Sequence, residues 1–170
     1  MKTSQSRQPS HIAGRRTSGR AQRDGLLDPY ISRRKPPEPA LCPRCGAHFD
    51  KGRWQWGRAP EGAQTHLCPA CRRIEDALPA GLVTLHQVPQ HLKGQIIGLV
   101  HNEEAAERAE HPMNRVISVD DEEDRVTVRT TDIHLPRRIG EALKRAYHGR
   151  LDMHFDDDGY FTRVDWHPPA

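Results

Sequence analysis

The sequence predicts an α+β protein: a four-cysteine zinc ribbon, then a helix and a small ββαββ domain, with a disordered basic N-terminal arm in front. Three observations carry this prediction. All four cysteines of the 170 residues fall in two like pairs, Cys42-Pro43-Arg44-Cys45 and Cys68-Pro69-Ala70-Cys71, with 22 residues between the pairs. Beyond residue 112, β-branched runs, a helical stripe and two alternating runs follow one another in order. The charge is graded. Residues 1–40 carry nine Lys or Arg against three acidic residues, residues 41–86 six against four, and residues 87–170 eleven against sixteen. Local charges of +6, +2 and −5 therefore sit inside a net charge of +3.

The arm, residues 1–40, has almost no apolar residue before Leu26. It cannot bury enough surface to offset an ordering cost of about 1–2 kcal/mol per residue, so it is expected to be disordered when free. Residues 1–23 contain Arg and Ser without Asp or Glu, as targeting peptides do, but Ile12 alone makes no amphipathic face. Arg15, Arg16, Arg33, Arg34 and Lys35 suit an arm that neutralises phosphates; a merely solubilising tail has the same composition. Pro36, Pro37 and Pro39 close the arm as a semi-rigid linker.

The ribbon is expected over residues 41–86. Two thiolates flanking a two-residue turn reach one ion at about 2.3 Å, and two such turns make a four-thiolate site. Pro43 and Pro69 stiffen the turns and Gly46 reverses the chain. Cys42, Cys45, Cys68 and Cys71 are thus read as ligands of one structural zinc ion. The same residues could form an iron–sulfur cluster, a redox pair or two disulfides. No secretory hydrophobic stretch favours the last, and a closed four-cysteine site leaves no coordination position for catalysis.

Between the pairs, residues 46–56 read as strand, Gly turn and strand, with Trp54 and Trp56 two apart and so on one strand face. The two indoles either cover the small metal module or offer a stacking platform for bases. With the platform go Arg44, Arg53, Arg58, Arg72 and Arg73, the ribbon's candidate RNA contacts. Residues 72–78 look like a short helix stopped by Pro79, and residues 82–88 like a third strand.

A connecting amphipathic helix is expected over residues 87–112. Leu92, Ile96, Leu99 and Val100 give it an apolar stripe, Pro89 opens it and Pro112 ends it. The ββαββ domain spans residues 113–170. Residues 116–119 and 126–128 flank the acidic turn at 120–124. Asp132 caps a helix whose apolar face is Ile139, Leu143, Ala146 and Tyr147, closed by Gly149. Two alternating strands then meet at Asp157-Asp158-Gly159, which suggests an antiparallel sheet with one helix across a face.

Other constellations are weaker. His154, Asp156, Asp158, Gly159 and Asp165 approach a calcium-loop spacing, but their flanks alternate like strands. His91, His101 and His111 lie ten apart and do not share a helix face; Glu107–His111 reads as a surface pair, and His134 beside Asp132 as capping and packing. No nucleophile–base arrangement or phosphate-binding glycine loop appears, so no enzymatic activity or small-molecule substrate is expected. No stretch reaches the roughly 20 apolar residues of a membrane span, and a cytoplasmic protein is expected.

Several segments together resemble a bacterial zinc-ribbon family related to the large-ribosomal-subunit export adaptors (nonsense-mediated-decay-three-like proteins). They are Asp28-Pro29-Tyr30, Pro37-Glu38-Pro39, the two cysteine pairs, Gly52-Arg53-Trp54-Gln55-Trp56, Pro79-Ala80-Gly81, Asn102-Glu103-Glu104, Glu110-His111-Pro112 and Thr130-Thr131-Asp132-Ile133-His134-Leu135. The resemblance implies zinc at the four cysteines and association with the ribosome or its RNA. Export itself is not implied, because the adaptor's further regions have no counterpart here. The combined expectation is a non-enzymatic zinc-ribbon adaptor that binds RNA, with a protein partner for the acidic C-terminal domain. The alternative is a zinc-stabilised protein-interaction or redox-responsive module without nucleic acid.

Overall fold

The computed structural model describes residue 30, residues 35–157 and residues 159–170. Arg15, Arg16, Arg33 and Arg34, and the disorder expected of the arm, lie outside the described residues. From residue 35 onward the chain forms two sheets and three helices.

The ribbon sheet has the order β3-β2-β1-β4. Its strands are β1 (Ala40–Leu41), β2 (His48–Asp50), β3 (Arg53–Gln55) and β4 (Gln64–Thr65). The predicted hairpin is β2–β3, with Phe49 opposite Trp54. Its turn places Lys51 at φ 52° and Gly52 at φ 76°, two successive left-handed residues matching the twist of a tight hairpin. β1 pairs antiparallel with β2 and parallel with β4. Ala40, expected at the end of the arm, is fully buried in this sheet.

Helix α1 (Pro69–Asp76) starts earlier than the expected 72. Cys68 is its N-cap, with its sulfur accepting from the Cys71 amide, and Pro69 occupies the first turn, where no donor is needed. The second cysteine pair is therefore the opening turn of a helix. Ala77, left-handed at φ 50°, ends it.

The second sheet has the order β6-β7-β5-β9-β8. Its strands are β5 (Gly81–His86), β6 (Val116–Asp121), β7 (Arg125–Thr130), β8 (Arg150–Phe155) and β9 (Thr162–His167). The expected ββαββ order is present as β6, β7, helix α3 (Leu135–Tyr147), β8 and β9. Its two hairpins do not pair with each other. β5, expected as the last strand of the ribbon, lies between them, antiparallel to β7 and parallel to β9. The sheet is thus mixed where an antiparallel one was expected. The cause is in the strand itself: Gly81, Val83 and Leu85 alternate as buried positions, and only a large sheet can bury them.

Helix α2 (Gln90–Glu110) is no bare connector. Ile96 and Val100 are fully buried in one cluster with Val83, Leu85, Val126, Val128, Leu135, Ile139, Leu143, Val164 and Trp166. It also buries Lys93, whose Nζ donates to Asp121 Oδ1 at 2.6 Å, and its Glu104 accepts from the Val116 amide at 2.8 Å. Two helices therefore serve this sheet where one was expected. On α3, Ile139 and Leu143 face inward as expected, but Ala146 is exposed and Ala142 is buried instead. Asp132 Oδ2 accepts from the His134 and Leu135 amides at 2.7 and 3.0 Å, the capping read from sequence. Burial raises the pKa of Asp132, against the lowering effect of those two amides.

Gly149 closes α3 at φ 84°, and a Cβ there would lie 2.1 Å from the His167 carbonyl oxygen. That oxygen belongs to the end of a paired strand and cannot step aside. Gly149→Ala is expected to cost about 2–3 kcal/mol, through left-handed strain and overpacking together. Urea denaturation of the two proteins measures it.

Candidate metal centre

The first cysteine pair sits where β1 ends. The Cys42 amide donates to Ala47 O at 2.8 Å and the Gly46 amide to Cys42 O at 3.0 Å, a tight loop that needs Gly46 at φ 77°. The second pair opens α1. Together they bring four sulfur atoms within 4.8 Å of one another. Cys45 and Cys68 sulfurs are 3.8 Å apart. Four thiolates at about 2.3 Å from a central ion in a tetrahedron have edges of about 3.75 Å, so this pair already stands at coordination spacing. No disulfide joins the four. The set can hold one metal ion and offers it no fifth ligand from this group.

Backbone amides point at the sulfurs, as the knuckle geometry requires. Cys68 N donates to Cys42 Sγ and Cys71 N to Cys68 Sγ, each at 3.4 Å. Cys42, Cys68 and Cys71 are buried, Cys45 half-buried, and Trp54, Leu67 and Met113 pack around them. Burial pushes the Cys42 thiol up, but amides of Cys68, Cys45 and Arg44 outweigh it and bring its pKa down to about 7. Cys68 goes the other way: burial, and the charge of neighbouring thiolates, raise it strongly. Four like charges this close cannot all persist without a cation among them. A divalent ion removes that conflict, which is the chemical reason the set fits a metal.

Arg115 is the residue that sequence reasoning missed. It is 5% exposed and comes from the loop before β6, far along the chain from the cysteines. Its Nη2 donates to Cys68 Sγ at 3.3 Å and Cys71 Sγ at 3.5 Å, and its Nε to Pro112 O at 2.8 Å. Burial lowers its pKa, but the bond to Cys71 and the surrounding thiolate charge raise it further, so it stays a cation. A four-thiolate site holding a divalent ion carries a net charge of −2; the guanidinium halves it and ties the larger sheet to the ribbon's metal corner. No sequence signal marks it, because one arginine in a loop has no spacing to read.

The expected RNA contacts separate. Lys35, Arg53, Arg58 and Arg72 are exposed. Arg44 is exposed too, with its Nε donating to Glu75 at 2.8 Å. Arg73 is not a surface contact: it is 6% exposed and its Nη1 donates to the Leu78 carbonyl at 3.1 Å, at the C-terminal end of α1. Neither tryptophan is fully exposed. Trp54 lies against the cysteine cluster, with the Phe49 ring at 5.5 Å and the His66 ring at 6.4 Å. β3 ends at Gln55, so Trp56 leaves the strand face; its Nε1 donates to Arg108 O at 2.5 Å. Trp54 covers the metal module, while Trp56 lies against Arg108 of α2.

A cleft of about 710 Å³ lies between the ribbon and the first turns of α3. Arg53 and Trp54 line it from the ribbon; Glu107, the 111–114 loop, His134, Arg137, Arg138 and Glu141 line the rest. Glu107, read as the surface partner of His111, is buried instead, bound by Asn114 Nδ2 at 2.9 Å and Arg138 Nη1 at 2.7 Å. β8 and β9 pair as a hairpin, with no helix flanking the turn among the described residues, and Arg163 Nη1 binds Asp156 at 2.7 Å.

The fold and site define a class: an α+β protein whose four-cysteine, zinc-ribbon-like corner is built to hold a metal ion. No protein-family model, curated protein or solved structure matches the chain. No helix among the described residues is long and apolar enough to cross a membrane.

Proposed function

We propose that this protein is a non-enzymatic, cytoplasmic adaptor that folds around one structural zinc ion and binds RNA, on the ribosome or on ribosomal RNA. The ion is assigned as zinc because four thiolates in two short-spaced pairs, in tetrahedral reach, are its preferred structural ligand set. The single observation carrying the RNA reading is the placement of cations. The basic arm, at +6 over residues 1–40 and with Lys35 exposed near its end, leads directly into a ribbon that exposes Arg53, Arg58 and Arg72. The resemblance to ribosome-adaptor zinc ribbons points the same way. The enzyme reading finds no support, since a four-cysteine site has no open position for a substrate.

Filter binding tests this reading. Single-stranded RNA is expected to bind the zinc-loaded chain at micromolar concentration or tighter. About four phosphate contacts give a slope near −2.8 in log K against log salt, so a fourfold rise in salt weakens binding about 50-fold. A chain lacking residues 1–40 should bind more weakly and with a shallower slope. Absence of binding at low salt by the full chain sinks the reading.

A second reading, a protein partner for the C-terminal domain, draws on one feature. Phe155 is 52% exposed on β8, an edge strand, beside the acidic residues Asp156 and Asp157. An unpaired edge with an exposed aromatic residue suits strand addition by a basic peptide.

A further inference from the structure

The acidic balance of residues 87–170 conceals a basic helix. Along α3, Arg137, Arg138, Lys144 and Arg145 are all exposed, against the single carboxylate Glu141. The negative charge is concentrated on α2, at Glu103, Glu104, Glu107 and Glu110, and at the strand ends and turns around 120–124 and 156–157. The cleft lies where this basic helix meets the ribbon: Arg53 lines it from one side, Arg137 and Arg138 from the other, and the carboxylates in its lining, Glu141 and Glu107, are each bound to one of the helix arginines. Its apolar lining is Trp54, Pro112 and Met113.

We infer that this cleft binds one nucleotide of single-stranded RNA, with the base on the Trp54–Met113 patch and the phosphate between Arg53 and Arg137. This rests on the RNA-binding reading and gives it a place. The volume, about 710 Å³, is in the range that takes a nucleotide-sized ligand at a junction between structural units. Arg53 has no carboxylate partner among the described residues. Arg137 has only the exposed i,i+4 partner Glu141, at 2.8 Å, a pairing too weak to withhold it from a phosphate. His134 is also exposed at this wall, and its imidazole has no hydrogen-bond partner among the described residues. Arg138, in contrast, is anchored at 2.7 Å on buried Glu107, which fixes the wall. The helix amides are not the anion site, because Asp132 already accepts from two of them. The side chains must supply the charge. An apolar patch beside arginines selects a planar base joined to a phosphate over either part alone.

The test uses the zinc-loaded full chain with AMP, adenosine and inorganic phosphate as probes, followed through the three tryptophan indole N–H signals. AMP is expected to shift one indole signal and to bind at least tenfold more tightly than adenosine or phosphate. Arg53→Glu and Arg137→Glu should each weaken AMP at least tenfold, while Arg125→Glu, paired with Glu122 at a distant turn, should not. Zinc content checks that each variant is folded. Equal binding of AMP and adenosine, or full affinity in both cleft variants, overturns the cleft. An octameric RNA distinguishes the two claims. RNA binding without AMP binding, and unchanged in the cleft variants, removes the cleft and keeps the RNA reading. AMP binding without RNA binding keeps the cleft and removes the RNA reading.

Discussion

Replacing Cys42 and Cys71 by serine, or stripping the ion with a chelator, should unfold the ribbon and leave the larger sheet standing. The reason is the composition of the ribbon's core. Its buried cluster is Cys42, Cys68, Cys71 and Ala70, with Trp54, Leu67 and Met113 half-buried around them. Beside them, Phe49 is the one large apolar side chain buried in the described ribbon, so an ion held by the sulfurs is expected to supply most of the folding energy, about 10–16 kcal/mol for a structural zinc at neutral pH. The larger sheet has eleven buried apolar residues of its own and does not need it. Hydrogen exchange reads the outcome. Amides of residues 40–76 should lose protection in the double variant while those of β5, β7 and β9 keep it. Retained protection across the ribbon without metal would falsify the assignment. The pH dependence has a definite sign. Coordination needs thiolates, and burial raises the Cys68 thiol strongly and the Cys71 thiol in the same direction in the free cluster. Binding therefore releases protons, and metal affinity falls as the solution is acidified.

Arg115→Ala should weaken metal binding tenfold to hundredfold, the scale expected for an outer partner of the ligands. It should also destabilise the fold by about 3–5 kcal/mol, because the removed cation was the buried counter-charge of the cluster. Two sulfurs lose a donor at once, and Pro112 O loses the Nε that fixes the loop. Arg115→Lys tests geometry against charge. A lysine keeps the cation, but it cannot reach two sulfurs and a carbonyl with one planar fork, so partial recovery is expected. Competition with a chromophoric chelator measures the affinity, and thermal denaturation the stability. An Arg115→Ala protein whose metal affinity stays within twofold of the parent would show that the guanidinium is only a neighbour.

Much of this architecture was readable in the chain, and the failures share a cause. The cysteine pairs, the β2–β3 hairpin, the cap at Asp132, the ββαββ order and the stop at Pro112 are all local: each depends on a few consecutive residues and their backbone preferences. The residues misread are those whose surroundings come from far away. Arg73 looks like Arg72 in the sequence, yet the turn of α1 buries one and exposes the other. Glu107 looks like a solvated helix carboxylate until Asn114 and Arg138 close over it. Trp54 and Trp56 share a face only while the strand continues, and it stops between them.

By itself, then, the sequence determined the ligands, their number and spacing, and the type of nearly every element, because thiolate chemistry and side-chain period act over short stretches. Tertiary structure alone decided that β5 leaves the ribbon for the larger sheet, that Arg115 becomes the counter-charge of the cysteine cluster, and that a basic helix inside an acidic domain faces Arg53. Those outcomes follow from burying apolar strands and neutralising buried charge over long chain separations, and no local pattern encodes which distant partner will be met.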